Sequence, residues 1–218
     1  MEKLIDGIYF FANLMSSQYL IEDGEGLTLI DTGILGNDRV ILNGISSLGY
    51  SISALKRILI THADGDHYGA LHRLQAQTSA QTWTSAPEAD AIRNGKVSRE
   101  LMPDTLLKKV AVYALSPAMR SSPAVVDRIL APGEQLPVLD GMIVINSSGH
   151  TPGHLSFYLS EKRILFSGDS IFRKNGKFIP SYGINCWDEA LAIKSMETQL
   201  MLGPQIICGG HNIFRLES

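Results

Sequence analysis

Thr61-His62-Ala63-Asp64-Gly65-Asp66-His67 follows directly on the apolar run Ile58-Leu59-Ile60, and the rest of the chain is read outward from it. Two histidines and two aspartates fall at the mouth of a buried strand. Imidazole and carboxylate are the groups that zinc, iron and manganese take as ligands. On extended chain, side chains two apart point the same way, so His62 and Asp64 can share one ion. Asp66 and His67 stand where Tyr68-Gly69-Ala70-Leu71 begins a helix, whose N-terminal dipole favours negative charge. The loop reads as half of a two-metal site. The plain alternative is an Asp/Gly-rich turn carrying two surface histidines.

Three further stretches repeat one layout, an apolar strand, a glycine and then a ligand-type residue. They are Ser148-Gly149-His150, Ser167-Gly168-Asp169 and Gly210-His211. A single strand-end histidine is explained by one hydrogen bond to a backbone carbonyl. Four strand-end loops carrying seven such side chains are not.

The 218 residues fit one domain, 1–218, and the 44% hydrophobic content is enough to bury a large core. The net charge of −3 has no basic run, which argues against a nucleic-acid partner. No stretch approaches the length of a membrane span, and Met1–Gly7 lacks a signal-peptide layout. Cys186 and Cys208 form no CxxC pair, so a reduced, cytoplasmic chain is expected.

Short β-favouring runs at 7–11, 17–21 and 27–30 surround a hairpin turn at 23–26. Asn37 is placed to cap a helix with Val40, Ile41, Ile45 and Leu48 on one side, stopped at Gly49. A strand at 57–60, a helix from Tyr68 to about Gln77 and a strand at 81–84 follow. Strands return at 124–130, 142–145, 155–159, 163–166 and 205–208, with a helix over 187–202 carrying Leu191, Met196 and Leu200. The irregular segment at about 87–122, apolar at Leu101, Leu106, Val110 and Met119, suits a lid over a site or a pair of core helices. Strands with intervening helices make this an α+β or layered α/β chain.

His62-x-Asp64-x-Asp66-His67, Gly149-His150-Thr151-Pro152-Gly153-His154, Gly168-Asp169 and Gly210-His211 together resemble the metallo-β-lactamase superfamily of hydrolases. The resemblance runs from Asp31-Thr32-Gly33 to His211. It implies a four-layer αβ/βα sandwich, an α+β fold of two mixed β-sheets flanked by helices, with metals at one edge between the halves. It implies two divalent metal ions, zinc first. His62, Asp64 and His150 would hold one, Asp66, His67 and His211 the other, and Asp169 would bridge. Asp31 would orient the metal loop. Two such ions about 3.5–4 Å apart clamp a hydroxide and polarise a carbonyl.

Asp64 departs from the pattern, since the family usually has histidine there. A carboxylate hardens the ligand set, raising iron or manganese as candidates, and an aspartate that falls short would weaken the first site. His154 suits a hydrogen bond to backbone or to a neighbouring polar group better than ligation, and His72 reads as solvent-facing or packed. Cys208 reads as an inert buried thiol, and Tyr182 as a candidate contact to the reacting group beside Asp66. The expected activity is hydrolysis of an ester, thioester or lactone of a small molecule, with β-lactams behind these. His211 lies seven residues from the last, so the helical domain that follows in hydroxyacylglutathione hydrolases is expected to be missing. An iron-dependent oxidoreductase of sulfur or oxygen chemistry, or a ligand-binding relative with weakened catalysis, are the alternatives. A homodimer is common among such proteins.

Overall fold

Alternation along single strands sorts the apolar residues into layers. In the computed structural model, which describes residues 1–12, 15–99, 121–139 and 141–216, strand β3 (Ser17–Asp23) sends Leu20 one way and Tyr19 and Ile21 the other. Strand β4 (Gly26–Ile30) likewise divides Leu27 and Leu29 from Ile30. Side chains of period two on a strand covered on both faces give this pattern.

Among the described residues one sheet has seven strands in chain order. β1 (Glu2–Ile5), β2 (Ile8–Ala12), β3 and β4 are antiparallel neighbours. β5 (Leu55–Leu59), β6 (Gln81–Thr84) and β7 (Arg128–Ile129) then add in parallel. Parallel neighbours need crossovers, and helices supply them. These are α1 (Asp38–Ser47), α2 (Gly65–Tyr68), α3 (Leu71–Gln75) and α4 (Ala86–Arg93). Ile41, Ile45, Leu71, Leu74, Ala89 and Ile92 from these helices join residues of their sheet in one buried cluster.

The second sheet runs β8 (Gln135–Leu136), β9 (Met142–Asn146), β10 (Leu155–Leu159), β11 (Ile164–Gly168), β14 (Ile206–Gly209) and β15 (Ile213–Arg215). Leu155, Phe157, Ile164 and Phe166 face the first sheet, where they meet Tyr19, Ile21, Ile30 and Leu59. Leu165 and Tyr158 face outward, toward Met196 and Leu200 of α5 (Glu189–Met201). Helix, sheet, sheet and helix are stacked in that order, which is the expected αβ/βα sandwich. A small hairpin, β12 (Ile171–Lys174) and β13 (Lys177–Pro180), projects after β11.

Several local expectations are corrected. Asn37 precedes α1, but its amide does not cap it; it donates to Gln18 Oε1 at 2.7 Å and to the Thr32 carbonyl at 3.0 Å. Val40 and Leu191 are exposed, because the buried stripes of their helices run through Ile41 and Ile45 and through Ala192 and Gln199. The helix expected from Tyr68 to Gln77 is two short ones, broken where the Ala70 amide turns to the Gly33 carbonyl at 3.2 Å. The strand expected over 124–130 pairs only at Arg128–Ile129. Of the 87–122 segment, α4 is a core helix, while the lid expectation rests on Leu101 to Met119, outside the described residues. Among the described residues no helix is long and apolar enough to cross a membrane.

Candidate metal centre

The apolar strands end on one edge of the sandwich, and each hands over a polar loop there. β5 ends at Leu59 and leads through His62 and Asp64 into α2, which carries Asp66 and His67. His150 follows β9, Asp169 follows β11 directly, and His211 follows β14. Backbone bonds sew the loops together: Leu155 N donates to the Thr61 carbonyl at 2.9 Å, Thr32 N to that of His67 at 2.6 Å, and Gly210 N to that of Gly168 at 2.8 Å. Gly210 has to be glycine, since a Cβ there would lie 2.1 Å from Asp169 Oδ1 and 2.7 Å from His67 Cε1.

Each buried histidine is held by its Nδ1. Thr61 Oγ1 donates to Asp31 Oδ2 at 2.8 Å, and so accepts from His62 Nδ1 at 2.9 Å. His67 Nδ1 donates to the same Asp31 oxygen at 2.8 Å. Ser181 Oγ gives its proton to the Asn185 carbonyl at 3.0 Å and accepts from His150 Nδ1 at 2.8 Å. With Nδ1 donating, a neutral imidazole keeps its lone pair on Nε2. Outer hydrogen bonds of this kind are how proteins aim histidines at a metal.

Those lone pairs converge on carboxylate oxygens. His150 Nε2 is 3.2 Å from Asp64 Oδ2, His67 Nε2 is 3.4 Å from Asp169 Oδ1, and His211 Nε2 is 3.1 Å from Asp169 Oδ2. Asp169 also lies 3.7 Å from His150 Nε2, between the two halves. Three groups could each hold an ion: His62, Asp64 and His150; Asp66, His67 and His211; and His62, His67 and Asp169. Acceptors crowded together repel unless a cation or a shared proton lies among them. Without a metal the neighbouring carboxylates, Asp169 above all, outweigh burial and raise the His67 and His211 imidazoles above their ordinary value. His62 Nε2, His67 Nε2 and Asp169 Oδ1 are buried without a hydrogen-bond partner, which fits a divalent metal taking nitrogen and oxygen ligands.

The family model of the metallo-beta-lactamase superfamily matches residues 12–211. The chain belongs to the metallo-beta-lactamase superfamily. Uncharacterized protein YobT of Bacillus subtilis (strain 168) is 29% identical over 206 residues, covering 90% of this chain and 82% of that protein. Hydroxyacylglutathione hydrolase GloC of Haemophilus influenzae (strain ATCC 51907 / DSM 11121 / KW20 / Rd) is 27% identical over 154 residues, 70% of this chain and 64% of its own length. The chain thus spans less than two thirds of that relative. Among solved structures, a metallo-beta-lactamase family protein from Thermus thermophilus superposes with a TM-score of 0.73 at 20% identity, over 98% of this chain and 76% of that one. At that identity the likeness is one of fold.

Against the superfamily's pattern, Asp64 has a partner with no counterpart in the motif. Arg99 Nη1 donates to Asp64 Oδ1 at 2.6 Å and Nη2 to Oδ2 at 2.7 Å, and both side chains are almost fully buried. Burial pushes the Asp64 carboxyl up, but the Arg99 guanidinium outweighs it and holds it well below its ordinary value. Burial likewise opposes the charge on Asp169, and His67 and His211 hold that carboxyl well down. Burial pushes His62 well below the ordinary imidazole value, with His67 adding to it. Asp66, partly exposed, is raised by burial.

Arg99 and Glu88 carry no motif. Glu88, fully buried on α4, accepts from Ala63 N at 2.7 Å, Thr151 Oγ1 at 2.7 Å and Gly153 N at 2.9 Å, clamping both histidine loops. Burial pushes its carboxyl up while those donors oppose it. In the sequence it reads as one more acid in a first helical turn.

The other expected residues fall into place individually. His154 is buried beside the ligands with both nitrogens used, Nδ1 to Ser147 Oγ at 2.7 Å and Nε2 accepting from Asp169 N at 3.1 Å. His72 is exposed, its Nδ1 3.0 Å from the Pro123 carbonyl. Cys208 is buried in β14, and burial pushes its thiol well up. Tyr182 is 57% exposed, with the Lys174 ammonium over its ring. It lines a cleft of about 560 Å³ with Phe172, Ile179 and Ile184, and Arg173 and Lys174 flank it. Two lining residues touch candidate ligands: Phe172 stacks on the His211 ring at 6.1 Å, and Ser181 bonds His150.

Proposed function

We propose that this chain is a metal-dependent hydrolase of a small ester, thioester or lactone whose acyl body is apolar and whose far end is anionic. Metal-dependent hydrolysis in general is supported by the family and by relatives named hydroxyacylglutathione hydrolase and, in Bacillus subtilis, probable metallo-hydrolase YflN. The single observation that carries the reading is the convergence of the His62, His67 and His150 lone pairs on Asp64 and Asp169. Metal would be held by His62, Asp64 and His150 on one side or by Asp66, His67 and His211 on the other, with Asp169 between them, and zinc suits such a donor set. When bound, a divalent ion lowers the pKa of water toward neutrality and polarises a carbonyl.

The chain's own residues do the rest. Asp31, Thr61 and Ser181 keep each Nε2 pointed at the centre, so no reorganisation is needed at the moment of reaction. Phe172, Ile179 and Ile184 offer an apolar wall to an acyl chain, and Arg173 and Lys174 offer charge to an anionic end. Among the described residues neither thiol is a ready nucleophile: Cys208 is deep in a strand with its thiol pushed up, and burial raises the thiol of Cys186, which donates to the Gly149 carbonyl at 3.2 Å.

The test is a panel of acyl thioesters, aryl esters, lactones and a β-lactam with zinc-loaded protein, each acyl compound in carboxylate-bearing and neutral versions. The anionic thioester or ester is expected to have the highest kcat/KM. Arg173→Met together with Lys174→Met should lower the anionic preference by about tenfold, near 1.4 kcal/mol. Fastest turnover of the β-lactam, or none of any substrate, would reject the assignment.

A further inference from the structure

Arg99 stands in the half of the centre where a metal ligand set would otherwise be complete. Its planar guanidinium grips both Asp64 oxygens, at 2.6 and 2.7 Å, and its side chain is 2% exposed. Guanidinium keeps its charge under all ordinary conditions and matches carboxylate geometry with two parallel bonds. Asp64 Oδ2 also faces His150 Nε2 at 3.2 Å and His62 Nε2 at 3.7 Å. The carboxylate that should attract an ion to His62 and His150 is therefore already neutralised by a fixed cation.

The other half differs in charge. Asp66 and Asp169 lie with His67 and His211, each histidine Nε2 being 3.9 Å from Asp66 Oδ2. Asp169 lies 3.4 and 3.1 Å from the same two nitrogens. Among the described residues no Arg or Lys forms an ion pair with Asp66 or Asp169. A dication gains from two carboxylates on this side. On the Asp64 side it meets a carboxylate already paired and a like charge nearby, in a buried place where screening is weak.

We propose that the chain holds one metal ion, on Asp66, His67, His211 and Asp169, and that the Arg99 guanidinium clamped on Asp64 is the fixed cation of the other half. The inference rests on the metal-centre reading above and concerns metal occupancy, so it is measured without any substrate.

The experiment loads the full chain with excess zinc, removes free metal by gel filtration, and counts ions by native and elemental mass spectrometry. One zinc per chain is expected for the unaltered protein. Arg99→Met, which frees Asp64 and keeps an apolar stem in the buried space, should raise the count to two. Should that variant fail to fold, two ligand variants decide independently. His211→Ala should empty the protein, while His150→Ala should keep its ion. Two zinc ions on the unaltered chain overturn the proposal but leave the metal-centre reading standing. Retention of the ion in His211→Ala with loss in His150→Ala overturns it as well. No zinc bound at all sinks both.

Discussion

Asp31 Oδ2 accepts from His67 Nδ1 at 2.8 Å and from Thr61 Oγ1 at 2.8 Å, while its Oδ1 accepts from Thr61 N at 2.8 Å. One carboxylate thus sets the rings of His67 directly and of His62 through Thr61. It also sits at a positive φ of 57°, a conformation aspartate and asparagine tolerate better than most residues. Asp31→Asn therefore keeps the backbone and replaces one of the two acceptor oxygens with an N–H donor. Zinc affinity is expected to fall about 10–100-fold, with little change in fold. Competition with a chromophoric chelator measures it, and unchanged affinity would show that Asp31 does not orient the ligands.

Asp64→His would restore the superfamily's usual pattern, and from the sequence alone it should simply shift preference towards zinc. The structure changes that expectation. Removing Asp64 leaves the Arg99 guanidinium buried without its carboxylate, a loss of about 3–5 kcal/mol for a broken buried pair. The single variant should be markedly less stable in urea, and the double variant Asp64→His with Arg99→Met should recover most of the loss. A single variant as stable as the starting protein would mean Arg99 does not depend on Asp64.

Glu88 uses both oxygens as acceptors, from Thr151 and Gly153 on one side and Ala63 on the other. An amide cannot accept at both ends, so Glu88→Gln turns an N–H toward a donor. The expected cost is about 1–3 kcal/mol for a buried group left unmatched. Because Ala63 and Gly153 flank the ligands, zinc affinity should fall too. Equal urea midpoints for the two proteins would remove Glu88 from the frame of the site.

The layers and the clustering of the candidate ligands were legible because both are written in dense local patterns. Buried strands carry dense apolar runs such as Ile58-Leu59-Ile60, and each candidate ligand follows one of them beside or near a glycine. The edge strands β1, β8 and β15 were not legible, being short and partly polar. The β12–β13 hairpin did carry a signal, although the expected elements leave it out: Asn175-Gly176, both at positive φ (51° and 77°), is the favoured two-residue turn. Arg99 had none. Its pairing with Asp64 spans 35 residues and depends on tertiary packing, which no periodicity encodes.

Removing the metal should expose how much of the stability the ligand cluster itself costs. Converging lone pairs and carboxylates, with His67 Nε2 and Asp169 Oδ1 lacking hydrogen-bond partners, are unfavourable until an ion compensates them. At free zinc about 100-fold above its dissociation constant, binding stabilises the fold by about 2.7 kcal/mol. For a chain of this size each kcal/mol moves Tm by about 2–4 °C, so chelation should lower Tm by about 5–10 °C. The drop should shrink in acid, where protons compete for the imidazole nitrogens that would bind metal. Scanning calorimetry with and without chelator, repeated at two pH values, measures it. An unchanged Tm at neutral pH in protein shown to contain zinc would mean that the ion sits elsewhere than among these buried groups.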